Sequence, residues 1–144
     1  MIIHPLRDTL PRGFSLIELL VVLAIIAVLS AIAMASFGQV KQRGNDARRM
    51  QDIQTIQKAL ALYDTQHGAF PIAVSPTTLT GADAVSLALV NEPALPAMPR
   101  DPSYPVRAYT YQSNAVGNSY TLTFCLETNT ILNYTSGCGN VVTP

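Results

Sequence analysis

Phe14-Ser15-Leu16-Ile17-Glu18-Leu19-Leu20-Val21-Val22-Leu23-Ala24-Ile25-Ile26-Ala27-Val28-Leu29-Ser30-Ala31-Ile32-Ala33-Met34-Ala35-Ser36-Phe37 is the stretch on which the fold turns, with 20 apolar residues in 24. From Leu19 to Phe37 it runs 19 residues without a charge or a proline. As a helix that run would extend about 28 Å, close to the hydrocarbon thickness of a bilayer. It reads as a membrane-crossing segment. The rival reading is a secretory signal, with Arg7 and Arg12 as its basic start and Ala33-Met34-Ala35 as a cleavage site before Ser36. Against it stand the length of the run, beyond the usual signal core, and the carboxylate of Glu18 near its beginning.

Outside this block the chain is ordinary. Of its 144 residues 49% are apolar and 12% charged, but Gly38 to Pro144 alone is about 42% apolar, as expected of one small globular domain. Sparse glycine and cysteine exclude collagen-like and disulfide-dense chains. The formal net charge is zero, and it is unevenly spread. Lys41, Arg43, Arg48, Arg49 and Lys58 stand against Asp46 and Asp52, five basic residues to two acidic. Further on, Arg100 and Arg107 face Asp64, Asp83, Glu92, Asp101 and Glu127. Such a chain offers no extended basic surface for nucleic acid. The basic cluster reads as a solvated helix face beside the membrane, with Asp46 and Asp52 within helical reach of its arginines.

Pro11-Arg12-Gly13-Phe14-Ser15-Leu16-Ile17-Glu18-Leu19-Leu20 resembles the signature of type IV pilins and type II secretion pseudopilins: a short basic leader ending in glycine, an aromatic residue, and a glutamate fifth after the break. The resemblance implies that a prepilin peptidase cuts after Gly13 and methylates the new amino terminus at Phe14. It implies too that Glu18 forms an assembly salt bridge with the Phe14 ammonium of a neighbouring subunit. A carboxylate in a membrane helix costs on the order of 2.5–3.5 kcal/mol at the bilayer centre, and less near an end. Two such charges that neutralise each other between subunits would favour assembly and fix its register. The proline that many members carry about twenty residues into the mature helix is replaced here by Ala35, leaving Ser30, Ser36 and Gly38 as the nearest weak points. Taken alone, the positive-inside tendency would place the head on the cytoplasmic side, because Lys and Arg also follow the apolar run. The leader signature and the two cysteines place it outside.

Beyond Gly38 a helical pattern returns, with Ala47, Met50, Ile53, Ile56, Leu60 and Tyr63 on one stripe. One long helix from about Phe14 to Gln66 is expected, with Gly44 as a joint and Gly68 as the stop. The segments Asn45 to Met50 and Leu62 to Pro71 resemble the helix and helix end of small pseudopilins. Seven prolines between Pro71 and Pro105 leave room for one short helix, Asp83 to Val90, capped by Asp83. Met98-Pro99-Arg100-Asp101-Pro102 and Tyr109-Thr110-Tyr111 are similar to segments that precede the sheet in this family. Arg107, Tyr109 and Tyr111 share one strand face, a turn falls at Asn114 to Asn118, and Tyr120, Leu122, Phe124 and Leu126 alternate on the next strand. A third strand is expected at Thr130 to Tyr134.

Cys125 points away from Phe124 and Leu126, and Cys138 follows 13 positions later. Two cysteines in a small exported domain read as one disulfide, with free thiols as the alternative; the C-x-x-C spacing of a redox site is absent. His67 reads as a helix-end residue, and Asn133-Tyr134-Thr135 as a chance match to a glycosylation acceptor. Asp101 and Glu127 are isolated in sequence, so no calcium site is expected, and there is no metal cluster, phosphate loop or nucleophile with a recognisable base.

These readings converge on an α+β fold: a long N-terminal transmembrane helix packed on a small antiparallel β-sheet, pilin-like. Residues 1–13 form the leader, 14–37 the transmembrane and assembly helix, and 38–144 a periplasmic or extracellular head with a helix at 45–66, a loop at 68–105 and a sheet at 106–135. The expected role is a structural subunit of a type IV pilus or type II secretion pseudopilus, neither an enzyme nor a cofactor protein. Its alternative is a minor tip or membrane-anchored binding, adhesion or DNA-uptake module. The expected partners are prepilin peptidase, identical or homologous pilin subunits, the assembly platform and the membrane. Before assembly the chain would sit in the cytoplasmic membrane as a single-pass protein, and afterwards in a surface pilus or periplasmic pseudopilus.

Overall fold

In a computed structural model the described residues are 13–91 and 95–144, so the leader arginines Arg7 and Arg12 lie outside them. Helix α1 occupies Leu16–His67, within two residues of the expected bounds. Its apolar part is rich in leucine, alanine and isoleucine and lacks proline, and Gly38 and Gly44 are carried inside it despite a cost of about 1 kcal/mol each relative to alanine. Gly68 ends the helix in the left-handed region at φ 73°, and its N–H donates to the Asp64 carbonyl at 2.7 Å. The chain divides into two units, Met1–Gly38 and Gln39–Pro144. In the first, the described large apolar side chains from Phe14 to Phe37 are all exposed.

The second unit holds a four-stranded antiparallel sheet in the order β1-β2-β3-β4, with β1 at Thr77–Thr78, β2 at Thr110–Ser113, β3 at Tyr120–Leu126 and β4 at Gly137–Val142. The β2–β3 hairpin is the one that the tyrosine alternation predicts, closing through Asn114 to Asn118. Tyr109, Tyr111, Tyr120, Leu122, Phe124 and Leu126 point into the core against Ile53, Ile56, Ala59 and Leu60 of α1. Leu79, Leu95, Met98 and the short helix α2, Ala84–Val90, close it with Val85 and Leu89. Asp83 caps α2 as expected, its carboxylate accepting from the Ser86 N–H at 2.9 Å.

Three expectations are corrected. The third strand is not Thr130 to Tyr134 but Gly137–Val142. The expected segment is held as a turn by its own polar side chains: the Ser136 N–H donates to Asn129 Oδ1 at 2.6 Å, and Asn133 lies at φ 69°. The real strand carries Gly137 and Gly139 at φ 107° and 112°, a backbone that apolar alternation cannot signal. The sheet also gains β1 inside the proline-rich loop, where Leu79 N–H donates to the Tyr109 carbonyl at 2.9 Å. Ala47, expected on the buried stripe, is exposed. The buried face passes instead through Asp46 and Arg49.

Candidate functional site

Ser15 and Glu18 stand three residues apart at the start of α1, and the Ser15 N–H donates to Glu18 Oε2 at 2.9 Å. This is the glutamate half of a capping box, satisfying a backbone donor at the positive end of the helix dipole. The S-x-x-E spacing was present in the sequence as a second reason for Glu18, alongside the assembly role. Phe14 beside it is 82% exposed, and Gly13 precedes the helix with open space around its Cα. Of the described residues 14–37, Glu18 alone is charged.

The second constellation lies in the head and is built on one guanidinium. Arg49 is wholly buried. Its Nη1 donates to Asp46 Oδ1 at 2.9 Å and lies 2.8 Å from Glu127 Oε1. Nε and Nη2 form a fork onto Asp101, at 2.8 and 3.1 Å, and Nη2 also reaches Ser103 Oγ at 3.0 Å. Asp46, equally buried, accepts from the N–H groups of Glu127 and Thr128, both at 2.8 Å, and from the Thr128 hydroxyl at 2.7 Å. Asn45 and the half-exposed Arg107 add contacts to Glu127 Oε1, at 3.1 and 3.5 Å. One turn of α1 thereby holds both the loop after β3 and the loop before β2.

Burial alone would raise the Asp46 carboxyl, but its hydrogen bonds from Glu127, Thr128 and Arg49 outweigh this and hold the pKa below the ordinary value. Burial likewise works to raise the Glu127 carboxyl, but Arg49, Asn45 and Arg107 together outweigh it and hold the pKa below the ordinary value. Arg49 is driven up despite its burial, so it stays charged. One turn further along, Tyr109 Oη donates to Asp52 Oδ2 at 2.8 Å. Here desolvation wins, and the Asp52 carboxyl is raised.

On the sequence Arg49 and Asp46 read as a solvated face, and Asp101 and Glu127 stand apart. The structure overturns both. The missed signal was spacing: positions 46, 49, 53, 56 and 60 continue the 3–4 rhythm of the buried face backwards through two charged residues. A hydrophobic pattern skips such positions by construction. Among the described residues no group of three or more His, Cys, Asp or Glu side chains is arranged to hold a metal ion. The three acids converge on a cation that the protein itself supplies.

Cys125 and Cys138 are joined in a disulfide that bridges β3 to β4. Cys125 is buried like its neighbours Phe124 and Leu126, at a point where the β3–β4 register shifts, so the simple alternation expected of it does not hold there; Cys138 is exposed. His67 is the last residue of α1, stacked on Tyr63 with ring centroids 4.0 Å apart.

Residues 11–34 match the prokaryotic N-terminal methylation motif. The chain is 30% identical over 98 residues to the type II secretion system core protein G of Dickeya chrysanthemi, covering 68% of this chain and 57% of that protein. It is 30% identical over 88 residues to the core protein G of Aeromonas hydrophila, covering 61% and 55%. With the core protein G of Escherichia coli strain K12 it shares 29% identity over 113 residues, covering 77% and 70%. The match thus spans little more than half the length of the first two relatives. No solved structure matches the chain significantly. With the methylation motif at the start of a long helix whose first part is apolar and exposed, and with a small antiparallel sheet in the second unit, the chain belongs to the family of type IV pilins and type II secretion pseudopilins.

Proposed function

We propose that the protein is a structural subunit of a helical filament, and that the filament is a type II secretion pseudopilus. Residues 1–13 are the leader, removed by prepilin peptidase after Gly13, and Phe14 becomes the methylated amino terminus. Residues 14–37 hold the subunit in the membrane before assembly and pack against the same segment of neighbouring subunits afterwards. Residues 38–144 form the head outside the cytoplasm. The observation that carries this reading is the first stretch of α1, whose large apolar side chains among the described residues are all exposed and which bears one carboxylate. Such a surface needs lipid or other copies of itself around it. The likeness to core protein G of three bacteria favours a pseudopilus over a pilus.

Glu18 has one acceptor oxygen on its own Ser15 N–H. Its charge would be neutralised by the Phe14 ammonium of the next subunit, which favours association in a medium where each ion alone is costly. The other partners in this reading are the assembly platform and homologous subunits, and no chemistry is assigned to the head. Replacing Glu18 by Ala tests it. The variant should insert in the membrane as the native chain does, yet yield at most a tenth of the filaments under overexpression. Filaments at native yield would contradict the role given to Glu18.

A further inference from the structure

Lys41, Arg43 and Arg48 follow the apolar run within eleven residues of Phe37. On the proposed topology they lie outside the cytoplasm, where the positive-inside tendency disfavours a basic cluster. The structure sharpens this. Asp46, which the sequence offers as their counter-charge, is buried and taken up by Arg49 and the backbone of Glu127 and Thr128. Arg49 is withdrawn with it. Lys41, Arg43 and Arg48 remain exposed. Lys41 and Arg43 make no ion pair or hydrogen bond among the described residues. Arg48 has only the longer-range attraction of Asp52, whose carboxylate is bonded to Tyr109.

Their arrangement on α1 discriminates between kinds of partner. At about 100° per residue, Lys41 and Arg48 share one side of the helix and Arg43 points to the opposite side. A protein groove reads one face, whereas a headgroup layer surrounds the helix. The four, six and eleven residues that separate Lys41, Arg43 and Arg48 from Phe37 amount, at the helical rise per residue, to about 6, 9 and 16 Å. The headgroup region is about 5–7 Å deep on each side. Two of the charges therefore fall at or just beyond phosphate depth, and the third stands within reach of the surface field with its side chain extended.

We propose that Lys41, Arg43 and Arg48 form a basic collar that binds anionic phospholipid headgroups on the head side of the membrane and holds the subunit there before assembly. This rests on the membrane reading above. Each basic residue near an anionic surface favours association about fivefold. The test uses the full chain in phosphatidylcholine bilayers, with spin-labelled phosphatidylglycerol or spin-labelled phosphatidylcholine as the probe. Electron paramagnetic resonance gives the motionally restricted fraction of each lipid. At low salt the native chain should select the anionic probe at least twofold more strongly than the Lys41→Gln/Arg43→Gln/Arg48→Gln variant, and 0.5 M NaCl should close that gap. Arg7 and Arg12 are common to both chains and cancel. Equal selectivity in the two proteins overturns the collar, and equal selectivity with lost filament assembly assigns the three residues to a protein partner instead. If neither lipid is restricted by either protein, the chain does not span the bilayer and the membrane reading itself fails.

Discussion

Replacing Arg49 with methionine removes the one cation on which Asp46, Asp101 and Glu127 converge. The three acids are not affected alike. Asp46 keeps its two backbone N–H donors and the Thr128 hydroxyl, and Glu127 keeps Asn45 and Arg107. Asp101 loses both arms of the fork and retains the Ser103 N–H at 2.7 Å. Breaking a buried ion pair from one side costs about 3–5 kcal/mol, a large share of the 5–15 kcal/mol typical of a domain. For a head of this size that corresponds to a fall in melting temperature of roughly 15–30 °C. The assay is near-ultraviolet circular dichroism of the full chain in detergent, which follows buried Tyr109, Tyr111 and Tyr120 and not the long helix. A second substitution separates charge loss from simple loss of packing. The Asp101→Asn change added to Arg49→Met should restore part of the stability, because it removes the carboxylate that the lost fork leaves buried without its cation. A loss below 1 kcal/mol, or a loss that Asp101→Asn does not relieve, would refute the reasoning.

Three further outcomes follow from other parts of the head. Cys138→Ser should cost about 3 kcal/mol, the value expected for a loop of this length, lowering the melting temperature by roughly 10–25 °C; a reductant should do the same to the native chain and nothing further to the variant. Gly117→Ala should cost about 1–3 kcal/mol by chemical denaturation, because a Cβ there would sit 2.8 Å from the Phe70 carbonyl oxygen on a backbone at φ 69°. On acidification the native head should lose stability below about pH 5. Asp46, Asp83 and Glu127 are held below their ordinary values, so the unfolded chain binds protons first, and their contribution disappears as pH falls through the folded values. Asp52, which is raised, opposes the trend alone. Denaturant midpoints measured from pH 7 to pH 3 check the direction.

Features governed by local chemistry were legible in the sequence. The apolar run, the Gly68 stop, the Asp83 cap and the β2–β3 hairpin each rest on residues within a few positions of one another. The third strand was misplaced because its course depends on glycine conformations and on a bridge to Cys125, neither of which leaves an apolar rhythm. The Arg49 cluster was hidden for a different reason. Its members are drawn from α1, the loop before β2 and the loop after β3, up to 81 positions apart, and each by itself looks like an ordinary surface charge. At the amino terminus the balance reverses. There the decisive residues, Gly13, Phe14 and Glu18, fall within six consecutive positions, and the structure adds the hydrogen bond between Ser15 and Glu18.

That amino terminus carries the central claim. Mass spectrometry of the protein recovered from membranes or filaments of a cell with prepilin peptidase measures it directly. The account predicts a chain that begins at Phe14 with a methylated amine, lacks residues 1–13 and keeps seven basic and eight acidic side chains. A mature chain that begins at Ser36 would contradict it, because the helix proposed to build the filament would then be gone.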